Sequence, residues 1–222
     1  MINLEIVAQG PSWLIVNKPP GISVHNDPQD VCQILKKQLK PGSFSDIHPV
    51  HRLDKETSGL LLIALNTKAA KDLAEQFQIR SCQKTYFALL RGSIPVSETW
   101  QQWNQPLSDK AEGRKNPQGM AKDRQEARTE YRVIEASKYF SLIEVNLLTG
   151  RQHQIRKHSA MAKHSIIGDA RYGDPQYNSR MATMYGTDRM FLHAARLKIS
   201  IDGKEQVFEA ALPPEFKKLL NG

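Results

Sequence analysis

The sequence predicts an α+β protein. Three observations carry that expectation. The apolar run 60–65 (LLLIAL) has the length and composition of a strand buried on both faces. Segments 29–39 and 68–79 place apolar residues at helical spacing. In the second half, strand-like segments lie close together in pairs, and one pair is joined by the hairpin dipeptide Asp202-Gly203. Strands and helices are mixed and the late connections are hairpins, which favours α+β over a regular βαβ array.

The elements follow in chain order. Residues 14–16 (LIV) form a short strand, halted at Asn17-Lys18-Pro19-Pro20-Gly21 by a stiff Pro-Pro-Gly turn. Val31, Ile34, Leu35 and Leu39 share a helical face. Thr67 is expected to cap a helix over 68–79, with Ala70, Leu73, Ala74 and Phe77 inward. Residues 86–90 (YFALL) make the next strand, closed by Arg91-Gly92. Residues 109–125 are polar, with five Lys or Arg against three Asp or Glu, and read as a basic surface loop. Segments 127–136 and 140–148 are paired strands. Thr149-Gly150 breaks the second, and a helix over 152–163 is expected, with Arg151 at its start. Residues 173–189 read as irregular. Strands over 191–201 and 205–211 follow, then a short helix opened by Pro213-Pro214.

Composition bounds the function. The chain has 222 residues, enough for one large domain or two small ones, and is 40% hydrophobic, enough for a proper core. Its net charge of +8 fits a polyanionic partner such as nucleic acid. Cys32 and Cys82 have no metal-like spacing and make no disulfide framework, which suggests a reducing compartment. The first residues lack the basic and apolar regions of a signal peptide, and no apolar run reaches membrane-spanning length. A cytoplasmic protein without a membrane anchor is expected. His153, His158 and His164 match no zinc spacing, so no metal is expected.

Two segments stand out chemically. His51-Arg52-Leu53-Asp54-Lys55-Glu56-Thr57-Ser58-Gly59 is a polar loop running straight into the buried run 60–65. A rigid strand fixes where such a loop begins, and Thr57, Ser58 and Gly59 can offer hydroxyl and N–H groups to a carboxylate. Thr149-Gly150-Arg151-Gln152-His153-Gln154-Ile155-Arg156-Lys157-His158 puts a tight turn before a basic helix. Such a helix can bind phosphate or pair with an active-site carboxylate. On composition alone it is a solvated basic face. Asn17 to His25 and Lys84-Thr85-Tyr86 are weaker signals taken singly.

In this order the four segments resemble the RluA family of pseudouridine synthases. The resemblance spans residues 17 to 158 and continues more loosely through Ile166-Ile167-Gly168-Asp169 and Phe191-Leu192-His193-Ala194. It implies a large mixed, mainly antiparallel sheet flanked by helices and loops. It implies that Asp54 matches the catalytic aspartate and Arg151 the arginine paired with it. Tyr86 matches the tyrosine that packs on the target base, and Ile155 an apolar residue lining the pocket. Arg52 matches the arginine that enters the RNA stack, with His51 beside it as a further RNA contact. Larger relatives carry an N-terminal S4 domain. Here the Asn-Lys-Pro segment starts at residue 17, so a single catalytic domain over 1–222 is expected. RNA must then be held by loops 109–125 and 173–189, with Arg114, Lys115, Lys122 and Arg124 as candidate contacts.

The implied substrate is a structured tRNA or rRNA stem-loop, with no obligatory protein partner. The implied reaction breaks the N1–C1′ bond of a uridine, turns the uracil and joins C5 to C1′. No atoms are gained or lost, so no cofactor is expected. A carboxylate can attack C1′ or take the C2′ proton, and both routes stay open. Two rivals differ in kind. A non-catalytic RNA-binding protein on this fold would lack the aspartate or its arginine, and both are present. A metal-dependent nuclease would need clustered carboxylates.

Overall fold

The computed structural model describes residues 2–40, 42 and 44–221. They contain ten strands and five α-helices in mixed order, which agrees with the α+β expectation. The chain divides into two compact units. One is Met1–Lys84 with Ala194–Ala211, and the other is Thr85–His193 with Leu212–Gly222.

The first unit holds β1 (Glu5–Gln9), β2 (Trp13–Lys18), α1 (Val31–Gln38), β3 (His48–Pro49), β4 (Ser58–Ala64) and α2 (Thr67–Gln78). Its last strands, at the chain's far end, are β9 (Leu192–Ile201) and β10 (Lys204–Glu209). The strand order is β1-β2-β4-β9, with β10 beside β9 and β3 beside β4. All seven residues of β4 are buried, as its unbroken apolar composition requires. Alternate residues Leu60, Leu62 and Ala64 meet Trp13, Ile15, Leu73, Leu197 and Ile199 in one core. Helix α2 lays Leu73 on that core, with Ala70, Ala74 and Phe77 partly buried beside it. Its cap is Asn66 rather than Thr67: the Asn66 side chain accepts the Ala69 N–H at 2.8 Å from an extended backbone. Asp202 and Gly203 both adopt left-handed backbone (φ 54° and 73°), the two-residue turn expected between β9 and β10. Strand β1, with partial burial and a bulge against β2, was not anticipated.

The second unit holds β5 (Gln83–Arg91), β6 (Ser97–Trp103), β7 (Thr129–Ala136), β8 (Phe140–Leu147), α3 (Gln154–Met161), α4 (Pro175–Tyr185) and α5 (Pro214–Leu220). The strand order is β5-β8-β7-β6, with antiparallel neighbours. The β7–β8 hairpin lies where the sequence placed it. Strand β6 is an outer strand whose only buried residue is Trp103, stacked on Tyr131 with centroids 4.0 Å apart. Helix α4 corrects the irregular reading of 173–189. It is defined by its ends: the Asp174 side chain accepts the Gln176 and Tyr177 N–H groups, Pro175 opens the helix, and left-handed Gly186 closes it. None of its residues is buried, so it shows no apolar stripe.

Helix α3 corrects the sequence reading twice. It begins at Gln154, after a turn through Arg151, Gln152 and left-handed His153 (φ 53°). It is also internal: Gln154, Ile155, Arg156, Lys157, His158 and Ser159 are all buried. A helix this polar can be interior only if its charges are partnered. Arg156 makes a two-pronged bond to Asp169, Nε and Nη2 at 2.8 and 2.9 Å. Lys157 Nζ donates to Asp109 Oδ1 at 2.8 Å and to the Ser108 carbonyl at 3.2 Å. His158 Nε2 lies 2.9 Å from the Gln105 carbonyl, which can only accept, so this nitrogen carries the proton. Burial lowers the His158 pKa, keeping the ring neutral, and Nδ1 then accepts from the Thr129 hydroxyl at 2.8 Å.

Candidate active site

The Asp54 loop is fastened from several sides before it enters β4. Lys18, fully buried at the end of β2, donates from Nζ to the carbonyls of Pro19, Ile22 and Lys55 at 2.9, 2.8 and 2.9 Å. A cation that far from water must be fully partnered, so the carbonyl next to Asp54 is held with little freedom. The Gly21 N–H donates to the same Lys55 carbonyl at 2.9 Å. Thr57 closes the turn by donating its N–H to the Asp54 backbone carbonyl at 3.0 Å. Asp54 itself is half-buried and Arg52 is exposed.

His51 is turned inward. Its Nε2 accepts the Leu62 N–H at 3.1 Å, and its ring stacks on Phe77 with centroids 4.6 Å apart. Burial first, then the Lys84 charge, pushes its pKa down to about 3. At neutral pH it is an uncharged acceptor tying the loop to β4. Where β4 begins, Gly59 (φ 113°) passes so close to Ala194 that a Cβ would sit 2.2 Å from the Ala194 carbonyl oxygen. Only glycine fits that approach.

The other expected site residues lie in the second unit. Tyr86 is buried in β5, opposite Val145 of β8, and Ile155 is buried in the first turn of α3. Arg151 stands in the turn before α3. Its N–H donates to Gln154 Oε1 at 3.0 Å, and its Nε donates to the Glu126 carbonyl at 2.9 Å. Gln154 is the internal brace of this turn. Its Oε1 also accepts from Thr149 at 2.7 Å, and its Nε2 donates to the Arg128 carbonyl and to Thr129 Oγ1, both at 2.9 Å. Lys18 and Gln154 lie within segments 17–25 and 149–158, and their roles as braces are set by partners in the fold. The signal was available for Lys18, a lysine closing an apolar strand.

Loop 109–125 is folded rather than shapeless. Leu107 and Gln125 exchange backbone hydrogen bonds at its base. Lys157 anchors the base from below. Arg114 bridges to Asp174 at 3.0 Å, Lys110 to Asp123 at 3.3 Å, and Arg124 donates to the Gly119 carbonyl. Lys115 and Lys122 are exposed and make no ion pair among the described residues.

A model of the family described as RNA pseudouridylate synthase matches residues 12–161. The chain belongs to that family. Asp54, Tyr86, Arg151 and Ile155 all lie within the matched span. The chain is 37% identical over 218 residues to tRNA pseudouridine synthase C of Pasteurella multocida, covering 88% of this chain and 85% of that protein. It is 33% identical over 225 residues to ribosomal large subunit pseudouridine synthase C of the same organism, covering 97% of this chain and 67% of that protein. The solved human RNA pseudouridylate synthase domain containing 4 superposes with a TM-score of 0.79 at 26% identity, covering 98% of this chain and 92% of that one. The pseudouridine synthase fold and an RNA-modifying isomerase activity follow from this membership, in agreement with the sequence reading. Among the described residues, no group of three or more His, Cys, Asp or Glu is placed to hold a metal ion, and no helix is long and apolar enough to cross a membrane.

Proposed function

We propose that this pseudouridine synthase acts on tRNA in the cytoplasm, with Asp54 as its catalytic carboxylate. The observation that carries the tRNA assignment is the extent of the matches. Two enzymes of one organism are compared, and the alignment covers 85% of the tRNA enzyme against 67% of the ribosomal one. Mapping pseudouridines in tRNA and rRNA of a deletion strain and its parent tests this. Loss of a tRNA site is expected. A full set of tRNA sites with a missing rRNA site would overturn it.

In this reading Asp54 must be ionised, whether it attacks C1′ or takes the C2′ proton. Arg151 orients it, a task suited to a planar guanidinium. Tyr86 packs on the uracil, and Ile155 lines the pocket. The reaction leaves the composition of the nucleoside unchanged, the C5 proton lost to solvent being balanced by one gained at N1, so it draws on no redox cofactor or nucleotide. The uracil must first leave its stack, at about a few kcal/mol, less in a loop.

Arg52 is the residue suited to fill the gap the uracil leaves. Its guanidinium is flat and exposed, two residues from Asp54, and can stack on bases while reaching phosphate. Arg52→Ala is therefore expected to lose much more activity on a stem-loop than on a short unstructured RNA carrying the same uridine. Equal losses on the two RNAs would make Arg52 an anchor of its own loop instead.

RNA backbone contact from loop 109–125 falls chiefly to Lys115 and Lys122. Arg114 already has Asp174 as its partner and Arg124 the Gly119 carbonyl, so they have less to gain from phosphate. Each of Lys115→Gln and Lys122→Gln should reduce the slope of log affinity against log salt by about 0.7–0.9. Arg114→Gln should change it less. Unchanged slopes for both lysine variants would place these two residues outside the interface.

A further inference from the structure

His153 stands two residues after Arg151 with a left-handed backbone (φ 53°). A residue with a Cβ stays there only when its surroundings hold it. His153 Nδ1 lies 2.9 Å from the hydroxyl of Tyr172. That hydroxyl is also bonded to Glu112 Oε2. A phenol has one proton and a carboxylate can only accept, so Tyr172 donates to Glu112. The remaining contact must run the other way, with His153 Nδ1–H donating to the Tyr172 oxygen. The chain of bonds therefore fixes the His153 tautomer. Burial, then the Glu112 bond and charge, raises the Tyr172 pKa far above its ordinary value, which keeps this proton in place.

Glu112 is the far end of the chain, and it belongs to the basic loop, two residues before Arg114. Its side chain is 2% exposed, and its Oε1 bridges Arg171 Nη2 at 2.5 Å. The carboxylate is thus locked inward only while the loop is docked. We infer that Tyr172 is a positioning residue: it holds His153 left-handed, and with it the Arg151 turn, and Glu112 makes that hold depend on the docked basic loop. The catalytic consequence rests on the role proposed for Arg151. RNA engaged by the loop at Lys115 is then in mechanical contact with the active-site arginine through three side chains. A loose loop removes this hold and leaves the arginine turn to its Gln154 brace and its Glu126 contact.

The test compares wild type, Tyr172→Phe, His153→Gly and the double variant. Two readouts are needed: kcat and KM on tRNA, and amide hydrogen exchange across 149–155. Tyr172→Phe removes the hydroxyl and keeps the ring. It should lower kcat on the order of tenfold, leave KM within about twofold, and speed exchange across 149–155. Glycine adopts the left-handed backbone without strain and carries no side-chain donor. Adding Tyr172→Phe to His153→Gly should therefore change kcat by less than about twofold. Losses that simply multiply, or unchanged exchange across 149–155 in Tyr172→Phe, would overturn the inference. If wild type proves inactive on tRNA while exchange still responds, the tRNA assignment fails and the hold on the turn stands.

Discussion

Purified Asp54→Asn protein is expected to bind tRNA and to form no detectable pseudouridine. Asparagine keeps the size of the side chain and removes its charge and basicity. Both conceivable routes need a carboxylate, as nucleophile at C1′ or as base at C2′, so the variant has no alternative path. The loss should be at least about 10³-fold. The loop should survive the change, because the Lys18 ammonium, the Gly21 and Thr57 amides and the His51 ring fasten it through backbone groups. Joining C5 to C1′ releases the C5 hydrogen, so tritium release from 5-tritiated uridine in the RNA measures turnover directly. Filter binding on the same preparation measures affinity. Near-normal release from Asp54→Asn would remove Asp54 from catalysis.

Asp169→Ala should destabilise the protein by about 3–5 kcal/mol, a large part of a typical domain's stability. Asp169 is 1% exposed and receives both prongs of the Arg156 guanidinium. Its Oδ1 also accepts the N–H groups of Arg171 and Tyr172 at 2.9 and 3.0 Å. Truncation leaves a cation and two amides without this acceptor in a site closed to water. Removing the charge as well, in Arg156→Met with Asp169→Leu, should recover part of the loss, because no lone ion is left inside. Urea unfolding of the three proteins provides the comparison. A change within about 1 kcal/mol for Asp169→Ala would show that the pair is solvated and contributes little.

Sequence carried most of the first unit. The 60–65 run could only be an interior strand, and Asp202-Gly203 could only be a tight hairpin, because each is dictated by local chemistry. The Asp54 motif was legible as a loop entering that strand, and family resemblance assigned its role. What escaped was decided by partners distant in the chain. Helix α3 looks like a surface helix because its hydrophilic side chains dominate. Its counter-groups sit at 105, 108–109, 129 and 169, and no periodicity reports them. Helix α4 escaped for the opposite reason: none of its residues is fully buried, so only its Asp-Pro start and Gly end mark it. Strands β1 and β6 carry too little buried alternation to stand out from loop. Thr67 was a reasonable cap, but Asn66 takes the place one residue earlier because its backbone is already extended there.

The inward-facing polar side of α3 also has a calorimetric consequence. Unfolding exposes apolar surface, which raises the heat capacity by about 0.45 cal/K/mol/Å², and polar surface, which lowers it by about 0.26. Six consecutive residues, 154–159, are hidden, and only Ile155 among them is apolar. Melting this helix therefore releases mainly hydrophilic area from the interior of the second unit. Its heat-capacity increment should fall below that of a domain of equal size with an oily interior. The plot of its stability against temperature should then be broader and flatter, losing less when the protein is chilled or warmed away from its optimum.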